Sequence, residues 1–408
     1  MQNYWPIENK NDKANKYICF LINPILGVLY SLKRMNTKSS YRVFFCFILL
    51  FGLSLTMESS FYQEDATNGF LDSMFHRADF ELTTQLSWDE FLRTIFISYG
   101  EFERKDYFDY IVKFLIGQIT DNYHIFFLTI AFVFAYFCLK SFRYFTCSQN
   151  FSNKYYVYVL AYLFMSIQII QINGVRFYPT AWMAIYALFK ILHDNDKKYL
   201  LLLLITPLFH RAFFFLYIIL FVVYLTKHKY RFWAVTFFFS IIFAEIAEVL
   251  ITANINILPG NISEWAQSYI DTKTEFGDGG RLYDVFALAV RFYKYLLVSI
   301  MIINAKDFMK DSKTAKIYSF MLITMCITNF SMSISNLGSR FSMLAWPFIA
   351  YLWLEVINNR YKWVFYIMPF VYIYKCLYYD PRLYMSLLEP CFLYSSPIYL
   401  VFKYLAME

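Results

Sequence analysis

The sequence has few charged residues, which argues against an ordinary soluble domain. Only 16% of its 408 residues are charged, whereas 59% are hydrophobic and 23% are aromatic. A soluble domain averages about 45–50% apolar and about 25% charged residues. Apolar runs recur between short basic segments, which is typical of a polytopic helical membrane protein. The net charge of +7 fits basic residues held on the cytoplasmic side, so it requires no nucleic-acid partner.

Motifs for metal binding and disulfide formation are also missing. The seven cysteines form neither a CxxC motif nor a cluster with histidine, which supports neither a zinc site nor a disulfide framework. We therefore expect an activity that uses no metal and no cofactor. The first strong apolar run ends without a small-residue cleavage site, so we predict an anchor rather than a cleaved signal peptide.

The apolar pattern predicts an all-α fold, an integral membrane helical bundle with about 10–12 transmembrane helices. No internal repeat is visible, so residues 1–408 are treated as one domain. Residues 1–42 are expected to be cytoplasmic or interfacial, and residues 58–123, 253–283 and 379–408 extracytoplasmic. The long first loop is expected to contain interfacial helices. Most of the 37 Lys and Arg residues fall in the predicted cytoplasmic segments, as the positive-inside rule requires.

Two of the predicted spans are too short for comfortable crossings. The predicted spans are approximately 43–57, 124–142, 155–172, 177–193, 198–209, 211–226, 232–252, 284–304, 317–335, 341–358 and 362–378. Twelve residues cover only about 18 Å of a roughly 30 Å hydrocarbon core. The segments 198–209 and 211–226, with Pro207 near their junction, are therefore interpreted as a broken or partly re-entrant hairpin lining a cavity.

Polar residues interrupt the apolar sequence near these short segments. Asn173, Arg176 and His210 are side chains that a lipid-facing helix avoids, and such groups mark functional interiors by default. The segment around Arg340 repeats the setting of Arg176, because Asn336 and a glycine precede the arginine and an aromatic residue follows it. Under the predicted topology these groups lie near the outer boundary of the membrane.

Alternative interpretations of these groups remain open. Arg176 and Arg340 are either interfacial anchors that snorkel or guanidinium forks that bind phosphate or pyrophosphate. In the second case helix N-termini would add to the anion site. His210 is either a satisfied histidine at a helix break or a group that handles a proton or binds an oxygen.

A second polar group lies in the neighbouring predicted spans. Arg291 and Lys294 are three residues apart, as are Glu245 and Glu248, so each pair shares a helix face. The two pairs are interpreted as an interhelical salt bridge, or as Arg291 contacting substrate while a glutamate tunes it or acts as the base. Arg281 follows two glycines and belongs either to a hinged substrate-covering loop or to a plain solvated loop.

The first outer loop supplies the candidate general base. It contains the acids Glu64, Asp65, Asp72 and Asp79, and a carboxylate there could deprotonate an attacking hydroxyl. The alternative is that these carboxylates only solvate the loop.

Together these residues resemble the pattern of the EpsG-like exopolysaccharide polymerases, which are related to the Wzy-type O-antigen polymerases. In that family an Asn-x-x-Arg opens one span and a Phe-His closes the next, and here Asn173, Arg176, Phe209 and His210 occupy those positions. A late arginine at a span start matches Arg340. Two further features match more loosely, namely Asn23-Pro24 and the loop acid Asp65. Arg211 departs from the pattern, since a small residue usually follows the histidine.

The resemblance implies a polymerase that joins undecaprenyl-pyrophosphate-linked oligosaccharide repeat units on the outer side of the bacterial inner membrane, in capsule, exopolysaccharide or O-antigen synthesis. It implies Arg176, His210, Arg340 and Asp65 as catalytic residues. The residues expected to bind substrate are Asn173, Arg281, Arg291, Asn336 and Glu245. A flippase and a chain-length regulator are candidate partners beside the membrane lipids. The alternatives are a polyprenyl-phosphate-dependent glycosyltransferase and a transporter or flippase for a lipid-linked or anionic solute.

Overall fold

The computed structural model describes residues 5–55, 72–96, 107–148, 151, 167–226, 229–244, 246, 249, 253, 280–331, 337–357, 360–373, 384 and 387–406. For residues 72–74, 96, 280–284, 287, 337 and 339 it describes the backbone alone. Across these ranges the regular structure is helical, with one isolated antiparallel bridge between Leu55 and Leu388. The predicted all-α fold is confirmed.

The helices follow the order of the apolar runs. They are α1 Lys10–Ile22, α2 Pro24–Leu32, α3 Lys38–Leu53, α4 Asp72–Thr84, α5 Trp88–Phe96, α6 Phe108–Gly117, α7 Tyr123–Thr146, α8 Phe177–Leu188, α9 Tyr199–Phe209, α10 Phe214–Thr226, α11 Tyr230–Ile242, α12 Gly280–Ile303, α13 Ala305–Phe308, α14 Ser312–Phe330, α15 Leu337–Leu352, α16 Trp363–Val371 and α17 Pro397–Leu405. Short 3₁₀ and π segments extend them at Ile169–Asn173, Phe189–His193, Arg211–Phe213, Trp353–Ile357 and Pro390–Leu393. Most of the predicted span 155–172 lies outside the described residues.

Several helices have the length or composition of membrane segments. Tyr123–Thr146 and Arg340–Ile357 are long and apolar enough to cross a membrane, and three shorter apolar helices lie between Tyr199 and Ile242. Large apolar side chains on the shorter helices are exposed, among them Leu201 and Phe221. Contiguous exposed apolar surface of this kind is unusual on a soluble monomer. These features are consistent with a membrane protein.

Helices α3 and α7 approach each other closely at Gly52. A Cβ atom placed on Gly52 would lie 2.3 Å from the Cβ of Ala131 and 2.9 Å from the carbonyl oxygen of Phe127. Small residues let helix backbones approach in this way, which membrane helices use to gain packing contacts. Helix α7 also packs against α8, and α14 packs against α15, so α7 and α8 connect the first helices to the later ones.

Polar side chains tie both ends of the described chain to this first group of helices. Asn23, between α1 and α2, accepts the N–H groups of Ile25 and Leu26, and its amide donates to the carbonyl of Leu393 at 2.9 Å. The amide of Asn122 donates to the carbonyl of Tyr404 at 2.9 Å. Helix α17 therefore closes the packing of α1, α3 and α7.

Candidate functional site

Arg176 stands at the entry to α8. A 3₁₀ segment ends at Asn173, and Arg176 is the residue immediately before the first turn of the helix. The carbonyl of Arg176 accepts a hydrogen bond from the hydroxyl of Thr180 at 2.6 Å. A Cβ on Gly174 would lie 2.6 Å from the Tyr178 ring, so glycine lets the chain pass beside this ring. Arg176 is therefore located at the N-terminus of α8, which is the positive end of the helix dipole.

His210 occupies a break between two apolar helices. Helix α9 contains Pro207 and ends at Phe209, and His210 has an extended backbone before the next 3₁₀ turn. Its Nδ1 accepts the N–H of Ala212 at 3.2 Å. The ring therefore caps the following turn through Nδ1, which leaves the Nε2 position as its hydrogen-bond donor.

The Phe177 ring connects three of the predicted site residues. It lies 5.4 Å from the His210 ring and 5.5 Å from the Phe341 ring, measured between centroids. The guanidinium carbon of Arg340 lies 5.8 Å from the centroid of the same ring. Phe177 follows Arg176 directly in the chain. The structure therefore brings His210 and Arg340 together around one aromatic side chain, next to the turn that carries Arg176.

The electrostatics of His210 reflect both arginines. His210 lies between the apolar helices, outside either of them. Burial lowers its pKa from 6.5 to about 3, and the positive charges of Arg176 and Arg340 act in the same direction, while Asp109 opposes them. The imidazole is consequently neutral at physiological pH. A neutral ring that donates from Nε2 suits binding of a substrate oxygen better than taking up a proton.

A buried charge cluster from α4 and α6 lies next to this group. The ammonium of Lys113 is fully buried and lies 2.6 Å from a carboxylate oxygen of Asp79, 3.2 Å from one of Asp109 and 3.1 Å from Nδ1 of His76. Burial lowers the pKa of His76 well below its usual value, and the charges of Lys113 and Arg176 lower it further. The cluster joins α4 to α6 and lies close enough to Arg176 to shift that pKa.

An aromatic stack holds α6 against the break at His210. Phe108, at the start of α6, stacks on Phe209 with ring centroids 3.7 Å apart and planes inclined by 20°. Asp109 is the next residue, and its charge reaches His210. The cluster of His76, Asp79, Asp109 and Lys113 is thus placed beside the predicted arginine and histidine residues.

Sequence reasoning missed most of this cluster. Asp79 was one of four candidate loop acids, but His76, Asp109 and Lys113 were not singled out. The spacing of Asp109 and Lys113, four residues apart on a helix, is a signal for an ion pair. No local pattern shows that this pair lies against His76 from another helix.

The other predicted site residues have different positions. Asn173 belongs to the same turn as Arg176, and its buried Oδ1 has no hydrogen-bond partner among the described residues. Arg291 is exposed on α12. Arg281 lies in the first turn of the same helix, where only the backbone is described. Asp65, Glu245 and Asn336 lie outside the described residues.

Lys294 contacts an aromatic ring. Its ammonium lies 4.9 Å from the centroid of the Trp346 ring on α15. The predicted salt bridge with the glutamates of the preceding span is not tested, because Glu245 and Glu248 are both outside the described residues. Within the described part of the chain, no three His, Cys, Asp or Glu residues are grouped to hold a metal ion.

Comparison with known families identifies the chain's relatives. A model of the EpsG family matches residues 79–396, which is most of the sequence. The chain belongs to the EpsG family. No curated protein and no solved structure shows a significant match. The range matched by the EpsG model includes Arg176, His210 and Arg340, whereas Asp65 and His76 precede it.

Membership of the EpsG family indicates an enzyme of the exopolysaccharide polymerase type, acting on a lipid-linked oligosaccharide. It also indicates a membrane protein, in agreement with the apolar helices. Two features of the EpsG pattern, the Asn-x-x-Arg of residues 173–176 and the Phe-His of residues 209–210, are the ones that the fold joins through Phe177.

Proposed function

We propose that the protein joins undecaprenyl-pyrophosphate-linked oligosaccharide repeat units on the outer face of the bacterial cytoplasmic membrane, with the N-terminus in the cytoplasm. The observation that carries the proposal is the gathering of Arg340, His210 and the Arg176 turn around Phe177. A transfer that expels pyrophosphate develops negative charge on the leaving group, and fixed cations stabilise it.

Arg176 and Arg340 bind the pyrophosphate of the donor. Arg176 immediately precedes the first turn of α8 and Arg340 lies in the first turn of α15, so each guanidinium is supported by the positive end of a helix. Bidentate contacts from planar guanidinium groups fit phosphate oxygens. The amide oxygen of Asn173 is a buried acceptor. It accepts a hydrogen bond from a hydroxyl group of the sugar.

His210 and the loop acids position the attacking sugar. A hydroxyl oxygen of the acceptor forms the new bond to the anomeric carbon, while the bond from that carbon to the pyrophosphate oxygen breaks. His210 donates from Nε2 to an oxygen of the reacting sugars. The hydroxyl proton passes to a carboxylate of the first outer loop, for which Asp65 is the candidate. Asp109 contributes to the same site through its charge on His210.

Complementation of a deletion strain tests the proposal. Loss of the long-chain glycan ladder on a gel, with survival of single-repeat material, is the result expected for a polymerase. Arg176→Ala, Arg340→Ala and His210→Ala should each reduce long-chain material by about 10²–10³-fold, as for loss of one electrostatic stabiliser. Arg231→Ala is the matched control, because Arg231 is exposed on α11.

The alternatives give different results in the same experiment. Complete loss of surface glycan indicates an upstream assembly or export step, as for a flippase. If Asp65→Asn abolishes activity while Arg176→Ala leaves it nearly intact, a polyprenyl-phosphate glycosyltransferase fits better. A normal ladder from all three alanine variants contradicts the proposed site.

A further inference from the structure

A separate cavity lies at the other end of α7. It has a volume of about 290 Å³ and lies between the start of α3 and the end of α7, with Trp5 on one side. Four cationic side chains line it, two from each helix: Lys38, Arg42, Lys140 and Arg143. None of these four forms an ion pair with a carboxylate in the described part of the chain.

Arg143 has unused hydrogen-bonding capacity in this cavity. Its guanidinium carbon lies 4.2 Å from the centroid of the Trp5 ring. Its Nε and Nη2 atoms are buried and make no hydrogen bond to any described group. Buried donors of a charged group are costly when they are left unpaired, so the site favours an anion with several acceptor oxygens.

The surface next to the cations is apolar. On α7, Phe132, Tyr136 and Lys140 are spaced four residues apart and therefore share one helix face. Phe132 and Tyr136 are 52% and 41% exposed, and Phe132 contacts Phe45 of α3 with ring centroids 5.7 Å apart. A strip of aromatic surface thus leads away from the cationic cavity. A ligand that matches both parts has an anionic head and a hydrocarbon tail.

The cavity lies at the opposite end of α7 from α4, the helix that carries His76 and Asp79 of the buried charge cluster. Arg77, of the outer-loop helix α4, lies over the Tyr123 ring at the start of α7, whereas Arg143 is 20 positions further along the same helix. At 1.5 Å per residue this separation is about 30 Å, which is the thickness of a bilayer core. The cavity is formed by the predicted cytoplasmic segments, where anionic lipid head groups attract basic residues.

We infer that this cavity binds the phosphate head group of an anionic phospholipid, with the acyl chains along the strip formed by Phe45, Phe132 and Tyr136. The head group pairs with the guanidinium groups of Arg42 and Arg143, and the lysines add charge at the rim. Since no residue of the cavity belongs to the proposed active site, the inference does not depend on the proposed polymerase activity.

Native mass spectrometry of the full-length protein in detergent tests the inference. Phosphatidylglycerol should bind and zwitterionic phosphatidylcholine should not, and the Arg42→Gln/Arg143→Gln double variant should bind phosphatidylglycerol about 25-fold more weakly, at about fivefold per cation. The Lys306→Gln/Lys313→Gln double variant is the matched control. It removes the same charge from exposed positions and should bind as the wild type does.

The other outcomes each overturn the inference. Equal binding of the two lipids, or equal affinity of the two double variants, shows that the cavity does not recognise the phosphate. Displacement of phosphatidylglycerol by millimolar inorganic phosphate shows a site for a soluble anion instead. Should the first double variant fail to fold, Lys140→Gln at an exposed position provides the comparison, with about a fivefold loss expected. Arg176→Ala should bind the lipid normally whether or not it polymerises glycan.

Discussion

The imidazole of His210 meets the Phe177 ring edge-on, with 5.4 Å between centroids and 85° between planes. This contact joins the first residue of α8 to the residue that follows α9. Because Phe177 is the first residue of α8, its ring fixes the distance between the Arg176 turn and the His210 break. The geometry of the proposed site therefore depends on an apolar side chain as well as on charged ones.

Replacing Phe177 should lower the polymerase activity much more than the stability of the protein. Phe177→Leu keeps an apolar side chain but removes the ring from a buried position, so the free energy of unfolding should fall by about 1–3 kcal/mol. Long-chain glycan should fall about tenfold or more, because small displacements of reacting groups are costly. Phe215→Leu is the control, since the Phe215 ring contacts Phe341, with 5.1 Å between centroids, and has no ring contact with Phe177 or His210 in the described part of the chain. Wild-type glycan from Phe177→Leu would falsify the positioning role.

The low pKa of His210 predicts how activity depends on pH. In the folded protein His210 takes up a proton near pH 3, so lowering the pH of an in vitro polymerisation assay from 7.5 to 5.5 should not charge it. The pH–activity profile of the wild type should therefore have no inflection near pH 6.5 caused by His210. The profile of His210→Gln should have the same shape. Such an inflection would show that His210 titrates during the reaction.

The same shift affects stability. The unfolded chain protonates His210 below about pH 6.5, whereas the folded protein resists protonation until about pH 3. The unfolded state then binds more protons, so this contribution to stability is complete above about pH 6.5 and is lost as the pH falls towards 3. In thermal unfolding, the difference in melting temperature between the wild type and His210→Gln should become smaller as the pH falls through this interval. A constant difference would contradict the shifted pKa.

The buried Lys113 should be needed for the packing of α4 against α6. Lys113→Met leaves the carboxylates of Asp79 and Asp109 without their cation, and breaking such a pair typically destabilises by about 3–5 kcal/mol. Because Asp79 is 37% exposed, we expect the lower end of that range, measured by chemical unfolding. The control is Glu81→Gln, which removes an exposed pair with Arg77 and should cost under about 1 kcal/mol. Equal stability of the two variants would contradict the role of the cluster.

The contact between α3 and α7 predicts a rescue experiment. Gly52→Ala places a methyl group against Ala131 and the Phe127 carbonyl, and overpacking of this kind costs about 1–3 kcal/mol. Adding Ala131→Gly removes the facing methyl group and should recover part of that loss of thermal stability, while the contact with the Phe127 carbonyl remains. If Gly52→Ala is neutral, or Ala131→Gly gives no recovery, the helices are not in this close contact.

Much of the helical framework was predictable from the sequence because hydrophobic runs are a local signal. The break between 198–209 and 211–226 was predicted from segment length and Pro207, and the structure confirms two helices that meet at His210. The repeated Asn, Gly, Arg, aromatic pattern pointed to Arg176 and Arg340 as related groups. Their roles in catalysis stay predictions.

Other parts of the site were not predictable, since they depend on packing between distant segments. The stack of Phe108 on Phe209 and the contact of Lys113 with His76 join residues that share no local pattern. Phe177 entered the prediction only as the aromatic residue after an arginine. Its role as a common neighbour of His210, Phe341 and Arg340 follows from three helices meeting, which periodicity does not show.

The hydrogen bonds that close the first helices have a consequence for biosynthesis. Asn23 and Leu393 are 370 positions apart, and Asn122 and Tyr404 are 282 apart. At about 5–20 residues per second, the ribosome reaches Leu393 roughly 20–70 s after it has added Asn23. The side-chain amides of Asn23 and Asn122 therefore lack these carbonyl partners until the C-terminal segment with α17 has been synthesised. The first part of the chain to be made is thus among the last to finish folding.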